Sequence, residues 1–289
     1  MQALAKAETT LQIALNGNST LPYPFLMDVR IARETGHDGV IVVVDKLRKY
    51  LSEGFSLAEA RAALAGLPVL GLSNVRDIER ASKDGRARLL AECEESCRLA
   101  EAIGCSSIQL LTGPADPTGP YRDPLGMTLT DLRRETTANL KLIAAIGHQF
   151  HVDFYLEPLA WTPLSALSDV LRVLDDAGQE NVGLAIDFWH LWSVGTDPGD
   201  VARIEGKIIR SIDVCDAIGP AGTLAGADQR GRRVWPGDGA IPLQVWVDAV
   251  RATGFNGTWS CELYSSRHWQ LDPWRTAQDL RQVLSDLLN

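Results

Sequence analysis

The sequence predicts an α/β protein, a single-domain (β/α)8 TIM barrel over residues 1–289. Three observations predict it. Eight short apolar, β-branched runs recur along the chain, and helix-period segments separate most neighbouring runs. The 289 residues suit eight βα units, and no Pro/Ser-rich linker divides them. Several runs end on a polar residue, namely Asn16, Asn74, Thr112, Glu157, Asp187, Asp213 and Glu262. In a barrel those ends share one mouth, where active sites lie. A doubly wound sheet is the alternative arrangement of the same units.

The elements follow in order. LQIAL (11–15) is the first strand, and FLMDVRIARETG (25–36) a helix with Gly36 at its C-terminal end. GVIVVV (39–44) is the second strand, and SLAEARAALAG (56–66) opens on a capping box from Ser56 to Glu59. PVLGLS (68–73) and SSIQLL (106–111) flank a long amphipathic run over 79–103. A helix over 129–149 leads to VDFYLEP (152–158), and one over 163–177 to VGLAIDF (182–188). The next connection, 195–206, is short and Gly/Asp-rich, so its helix is weakly signalled. IIRSIDV (208–214), a helix over 241–253, TWSCEL (258–263) and a helix over 273–288 complete the series. Two loops, 113–127 and 216–239, exceed the roughly 2–6 residues usual for such turns. The second crowds Arg230, Arg232, Arg233 and Trp235 together, which reads as a wall or lid of a site rather than a surface excursion.

Net charge is -9 and the sequence pI about 5.1, which counts against a nucleic-acid backbone as partner. The five cysteines, Cys93, Cys97, Cys105, Cys215 and Cys261, include no CxxC pair. They are expected to be buried free thiols of a reducing compartment. Residues 1–16 lack the apolar core of a leader, and no run reaches the roughly 18 apolar residues of a membrane helix. The expectation is a cytoplasmic protein with no membrane partner.

Glu157, Asp187, Asp213 and Glu262 each follow an apolar run. Alone, each is an ordinary strand-end carboxylate that caps a helix or pairs with an arginine. A carboxylate in a core is costly unless something positive meets it. Four converging from adjacent strands are most simply met by a divalent metal ion. Asp187 and His190 lie three residues apart, which suits one ligand and one substrate-holding donor, with a packed histidine under Trp189 and Trp192 as the alternative. Asp213 and Asp216 have the same spacing; one is expected to face inward and the other to cap or to pair with an arginine.

With these residues in view, the chain resembles the sugar phosphate isomerase/epimerase superfamily, the xylose-isomerase-like TIM barrels. The features that carry the resemblance are Leu156-Glu157-Pro158, Asp187 with His190, Pro236 to Gly239 after an arginine, and Glu262-Leu263-Tyr264-Ser265. Asp213 stands where many members have a histidine. The resemblance implies a metal held by Glu157, Asp187, Asp213 and Glu262. That all-oxygen set favours Mn²⁺ or Mg²⁺, with Co²⁺ or Zn²⁺ as alternatives. It implies isomerisation or epimerisation of a keto-sugar or cyclitol by proton abstraction beside a carbonyl, through an enediolate that the metal stabilises. Glu157 and Glu262 would be acid and base, His190 would hold a substrate oxygen, and Arg233, or else Arg230, would stabilise negative charge. Trp161, Trp189, Trp235, Trp269 and Phe188 would wall the pocket, with core packing as the alternative for each. Two other readings stay open: a dehydratase of a keto-cyclitol or dehydroshikimate-like acid, and a sugar-binding barrel without catalysis. The substrate is expected to be a keto-sugar, polyol or keto-acid, and the chain a candidate homo-oligomer.

Overall fold

Each of the eight apolar runs forms a strand in the computed structural model, which describes residues 11–222 and 229–289. The first seven are β1 (Gln12–Asn16), β2 (Gly39–Val43), β3 (Val69–Val75), β4 (Ser107–Leu111), β5 (Asp153–Glu157), β6 (Val182–Asp187) and β7 (Ile209–Val214). Two short strands, β8 (Asp216–Ala217) and β9 (Arg233–Val234), make a separate antiparallel ribbon. The last, β10 (Thr258–Cys261), pairs in parallel with both β7 and β1, and β1 pairs with β2, so the sheet closes into a barrel. The helices are α1 (Phe25–Glu34), α2 (Val44–Ser52), α3 (Leu57–Ala63), α4 (Lys83–Ile103), α5 (Leu129–Phe150) and α6 (Leu167–Ala177). They continue as α7 (Phe188–Ser193), α8 (Pro198–Val201), α9 (Gln229–Arg232), α10 (Leu243–Ala252) and α11 (Pro273–Leu288).

Local chemistry sets many boundaries. Ser56 and Glu59 form the expected capping box of α3, and Gly36 takes a positive φ of 71° just past α1. The Ser82 side chain accepts from Gly85 N, so α4 starts at Lys83 rather than at 79. Apolar stripes then turn the helices onto the barrel. In α6, Leu167, Val170, Val173 and Ala177 are buried, and a large apolar side chain placed this way contributes roughly 1.5–3 kcal/mol.

Three helices were not foreseen, α2, α7 and the four-residue α9 inside the loop 216–239. Val44 begins α2 instead of ending a strand, because the apolar positions from there recur at helical spacing and bury Val44 and Leu47. The segment FWHLWS forms α7 because the Asp187 side chain caps it, accepting a hydrogen bond from His190 N at 2.8 Å. The five cysteines are free and buried. Among the described residues, no helix is long and apolar enough to cross a membrane.

Candidate active site

The C-terminal ends of β5, β6, β7 and β10 bring the four acids together. Asp187 and Asp213 are register partners across β6 and β7, as are Asp213 and Ser260 across β7 and β10. Glu262 follows β10 and shares the inward side of Ser260 by the two-residue period of a strand. All four carboxylates are buried, and Glu157, Glu262 and His190 line a cavity of about 770 Å³ that opens at this mouth.

Each acid is oriented differently. Glu157 accepts from Gln109 Nε2 at 2.7 Å through Oε2, while its Oε1 has no hydrogen-bond partner. Asp187 uses Oδ1 to cap α7 and Oδ2 to meet both terminal nitrogens of Arg233 at 3.1 Å. Asp213 gives Oδ1 to Asn16 Nδ2 at 3.0 Å and to the Ser260 hydroxyl. Glu262 accepts from Asn18 Nδ2 at 2.7 Å through Oε1 and pairs with Arg233 Nη2 at 3.0 Å through Oε2.

Arg233 comes from the ribbon, where Ala217 of β8 pairs with it. Its guanidinium also donates to Glu262 O at 3.1 Å, and it lies 5.2 Å above the Trp189 ring. Asp216 holds the loop that delivers it. That carboxylate accepts from Gly237 N and Gly239 N at 2.9 Å, from Ile241 N at 3.1 Å and from Ala217 N at 2.8 Å. Of the two roles open to Asp216, it takes the cap. Gly239 packs so closely on Asp216 that an added Cβ would collide with the carboxylate, which accounts for a glycine there.

His190 is buried between Trp161 and Trp189, with ring centroids 5.3 and 5.2 Å away. Its Nδ1 accepts from the Ala160 amide at 3.1 Å, an N–H that can only donate. A neutral ring that accepts at Nδ1 carries its proton on Nε2, which lies 3.8 Å from Glu157 Oε1 and 3.3 Å from Arg233 Nη2, itself a donor, so that proton points to the carboxylate side of the cavity.

Electrostatics follow from this packing. Burial, then the charges of Asp187, Glu262 and Asp213, push the Glu157 carboxyl well above its ordinary pKa. Burial, then Glu262 and Asp187, raise Asp213 to about 8, while the Ser260 and Asn16 hydrogen bonds oppose the rise. Burial raises Glu262 as well, with Arg233 as the largest opposing influence. Burial, and next the Arg233 charge, hold His190 well below its usual value and so neutral. Four carboxylates face one guanidinium, an excess of negative charge that a divalent cation would relieve. Donor atoms of Glu157, Asp187 and His190 all lie within 4.8 Å of one another. His190 Nε2 already faces Arg233 Nη2 at 3.3 Å, so the orphaned Glu157 Oε1 and the neighbouring acids are the oxygens that fit a metal.

Sequence reasoning did not single out Asn18 or Gln109, which hold the two glutamates. Gln109 carried a signal, a lone amide inside the apolar run SIQLL. Asn18 carried none beyond lying two residues past Asn16. Its backbone is held by Asn16 Oδ1, which accepts from Asn18 N at 3.0 Å, and by Trp269 Nε1, which donates to Asn18 O at 3.0 Å. Further along the same turn is a buried clamp: Lys46 Nζ donates to Thr20 O at 2.8 Å and to Asp28 at 2.6 Å, and the Thr20 hydroxyl donates to Asp28 at 2.7 Å.

Five residues expected at the substrate, Trp189, Trp235, Trp269, Phe188 and Arg230, do not line the cavity. Trp269 packs edge-on against Tyr264, with ring centroids 5.0 Å apart. Trp189 is fully buried beneath Arg233 and reaches no cavity surface, because α7 turns it inward. Trp235 packs near His268, with ring centroids 6.0 Å apart, and does not line the cavity. Arg230 is exposed, lies 5.3 Å over Tyr264 and donates to its hydroxyl at 3.0 Å, so it reaches the cavity rim only through that ring. Phe188 is core, 5.3 Å from Trp246. Trp161 does line the cavity, fixed by a 3.1 Å hydrogen bond to Pro114 O.

Comparison with known proteins follows the same lines. An inosose isomerase of Bacillus velezensis is 22% identical over 280 residues, covering 94% of this chain and 95% of that protein. A 3-dehydroshikimate dehydratase of Pseudomonas aeruginosa is 26% identical over 238 residues, 80% of this chain but 34% of that longer protein. Among solved structures, that of the IOLI protein with a bound zinc atom superposes with a TM-score of 0.86 at 18% identity, covering 96% of this chain and 98% of the other. The family described as xylose isomerase-like TIM barrel matches residues 29–287. With a match over that span and a closed eight-stranded parallel barrel, the chain belongs to the xylose isomerase-like TIM barrel family.

Proposed function

We propose that the chain is a divalent-metal-dependent isomerase or epimerase of a keto-sugar or cyclitol, acting by proton transfer at the carbon beside a carbonyl. The observation that carries this is the asymmetry of the two buried glutamates on the cavity. Glu157 Oε1 makes no hydrogen bond, with His190 Nε2 3.8 Å away, while both oxygens of Glu262 are engaged. Glu157 is therefore the group that takes the proton from carbon, with Gln109 holding it in place. Glu262, held by Asn18 and Arg233, is the group that returns or receives a proton on the other side. His190 Nε2–H donates to a substrate oxygen, and Arg233 lends positive charge where negative charge develops.

Glu157, Asp187, Asp213 and Glu262 are the residues that would hold the cation, and their oxygens favour Mn²⁺ or Mg²⁺. When bound, it would polarise the carbonyl and balance the carboxylates. Relatives named inosose isomerase support this reading. The dehydratase relatives favour a second one, loss of a β-hydroxyl after the same proton abstraction.

The test is incubation of metal-loaded protein with an inosose and with 3-dehydroshikimate in deuterated water. Deuterium at the carbon beside the carbonyl, without loss of water, is the expected result. Elimination to an ultraviolet-absorbing product would assign the lyase reading instead. Absence of exchange and elimination with Mn²⁺, Mg²⁺, Co²⁺ and Zn²⁺ alike would overturn both.

A further inference from the structure

The cavity is much larger than the chemistry needs. At about 770 Å³ it is several times the space of one polyhydroxylated six-membered ring, and it falls in the range of sites that enclose larger ligands. Its inner end is the polar floor of Glu157, Glu262 and His190. Its outer end is aromatic. Phe25 and Tyr50 meet with ring centroids 5.3 Å apart, and Tyr50 and Phe55 stack face to face at 4.4 Å and 8°. Phe55 remains 45% exposed and Leu26 41%, so both present apolar surface to the cavity rather than to the core.

The basic side chains on the cavity lining are each paired with a carboxylate. Among the described residues they are Lys46, Lys49 and Arg76. Lys46 is bound to Asp28, Lys49 to Glu53 and Arg76 to Asp45. A phosphate or carboxylate at that end would compete with the carboxylates these cations already pair with, whereas a neutral ring would meet a ready stacking surface.

We propose that the substrate is a two-part molecule, a keto-sugar ring joined to a neutral aromatic group, with the sugar at Glu157, Glu262 and His190 and the aromatic group on the Tyr50–Phe55 stack. This assignment of an aryl glycoside rests on the proposed proton transfer at the inner end and adds the substrate class.

Calorimetry on the Mn²⁺-loaded chain tests it, with phenyl and methyl D-glucopyranosides of both anomeric forms as probes. The phenyl compound of one anomer binds roughly tenfold more tightly than its methyl counterpart. Phe55→Ala, a change at a half-exposed position that the fold tolerates, brings the phenyl glycoside down to the methyl glycoside's affinity. Equal affinities in the parent chain, equal losses of both probes in Phe55→Ala, or no binding of either probe would overturn the assignment. So would a changed oligomeric state in Phe55→Ala, which would make the stack a protein interface. Deuterium exchange into an inosose reads the proton transfer alone, since that probe has no aromatic group. Exchange without a phenyl preference defeats the substrate class and leaves the chemistry; a phenyl preference without exchange does the reverse.

Discussion

Glu262 is gripped from two sides, by the Asn18 amide and the Arg233 guanidinium. Removing its charge frees both partners and one anionic site for the cation. Glu262→Gln is therefore expected to lower turnover by at least about 10³-fold, with weaker metal retention measured on the dialysed protein. Full activity in that variant would remove Glu262 from the chemistry. Asn18→Leu is expected to cost less, roughly tenfold to a hundredfold in kcat with the fold intact, because it releases one oxygen of Glu262 while leaving the carboxylate in place. An unchanged pH profile of kcat in that variant would show that Asn18 does not position the glutamate. The acids were legible in the sequence because a carboxylate ending an apolar run is expensive and conspicuous. Asn18 was not, since a neutral amide in a turn is ordinary in any protein. Arg233 was legible only as one of a cluster. Which arginine entered depended on the ribbon, and Trp189 was misplaced because the turn into α7 reverses the facing that a continued strand would give.

The ribbon of β8 and β9 shows how an irregular loop becomes a precise one. Asp216 binds four backbone amides from two stretches of chain and so fixes the path that carries Arg233 inward. Asp216→Ala strands several of those donors in a buried setting, so a loss of about 3 kcal/mol in denaturant unfolding is expected, with activity lost as Arg233 shifts. A loss below about 0.5 kcal/mol would mean that water replaces the carboxylate. The clamp at the first turn is the second such device. Burial raises the Asp28 pKa to about 6, with Lys46 as the main opposing influence. Lys46→Met leaves that buried carboxyl without its cation, with only the Thr20 hydroxyl beside it, and is expected to destabilise the protein by about 3–5 kcal/mol. Spacing and capping signals made most helices visible in advance, as with Ser56 and Glu59. α2 was hidden because GVIVVV reads as one strand until Val44, Leu47 and Leu51 are seen to recur at helical intervals.

The closed barrel explains why acids far apart in sequence meet: parallel strands in register place their C-terminal ends at one mouth. That much followed from counting βα units. The depth of the cavity and its aromatic outer end did not, because they depend on how α1 and α2 tilt at the rim. Acid sensitivity has a traceable contributor away from the site. Burial, and next the Arg281 charge, depress the His37 pKa from 6.5 to about 4. The unfolded chain thus binds this proton more readily, and stability falls as pH drops below 6.5 and levels off below about 4, by on the order of 3 kcal/mol. Stability curves of the parent chain and of His37→Gln are expected to converge or cross over that window; parallel curves would assign the acid sensitivity elsewhere. The excess of buried carboxylate charge at the mouth remains the feature on which function turns. Anomalous diffraction from crystals soaked in Mn²⁺ reads it directly. A single peak within about 2.5 Å of oxygens from Glu157, Asp187 and Glu262 is the predicted result. A peak elsewhere, or none at saturating Mn²⁺ with Arg233 still seated between Asp187 and Glu262, would contradict a metal-dependent reaction in this barrel.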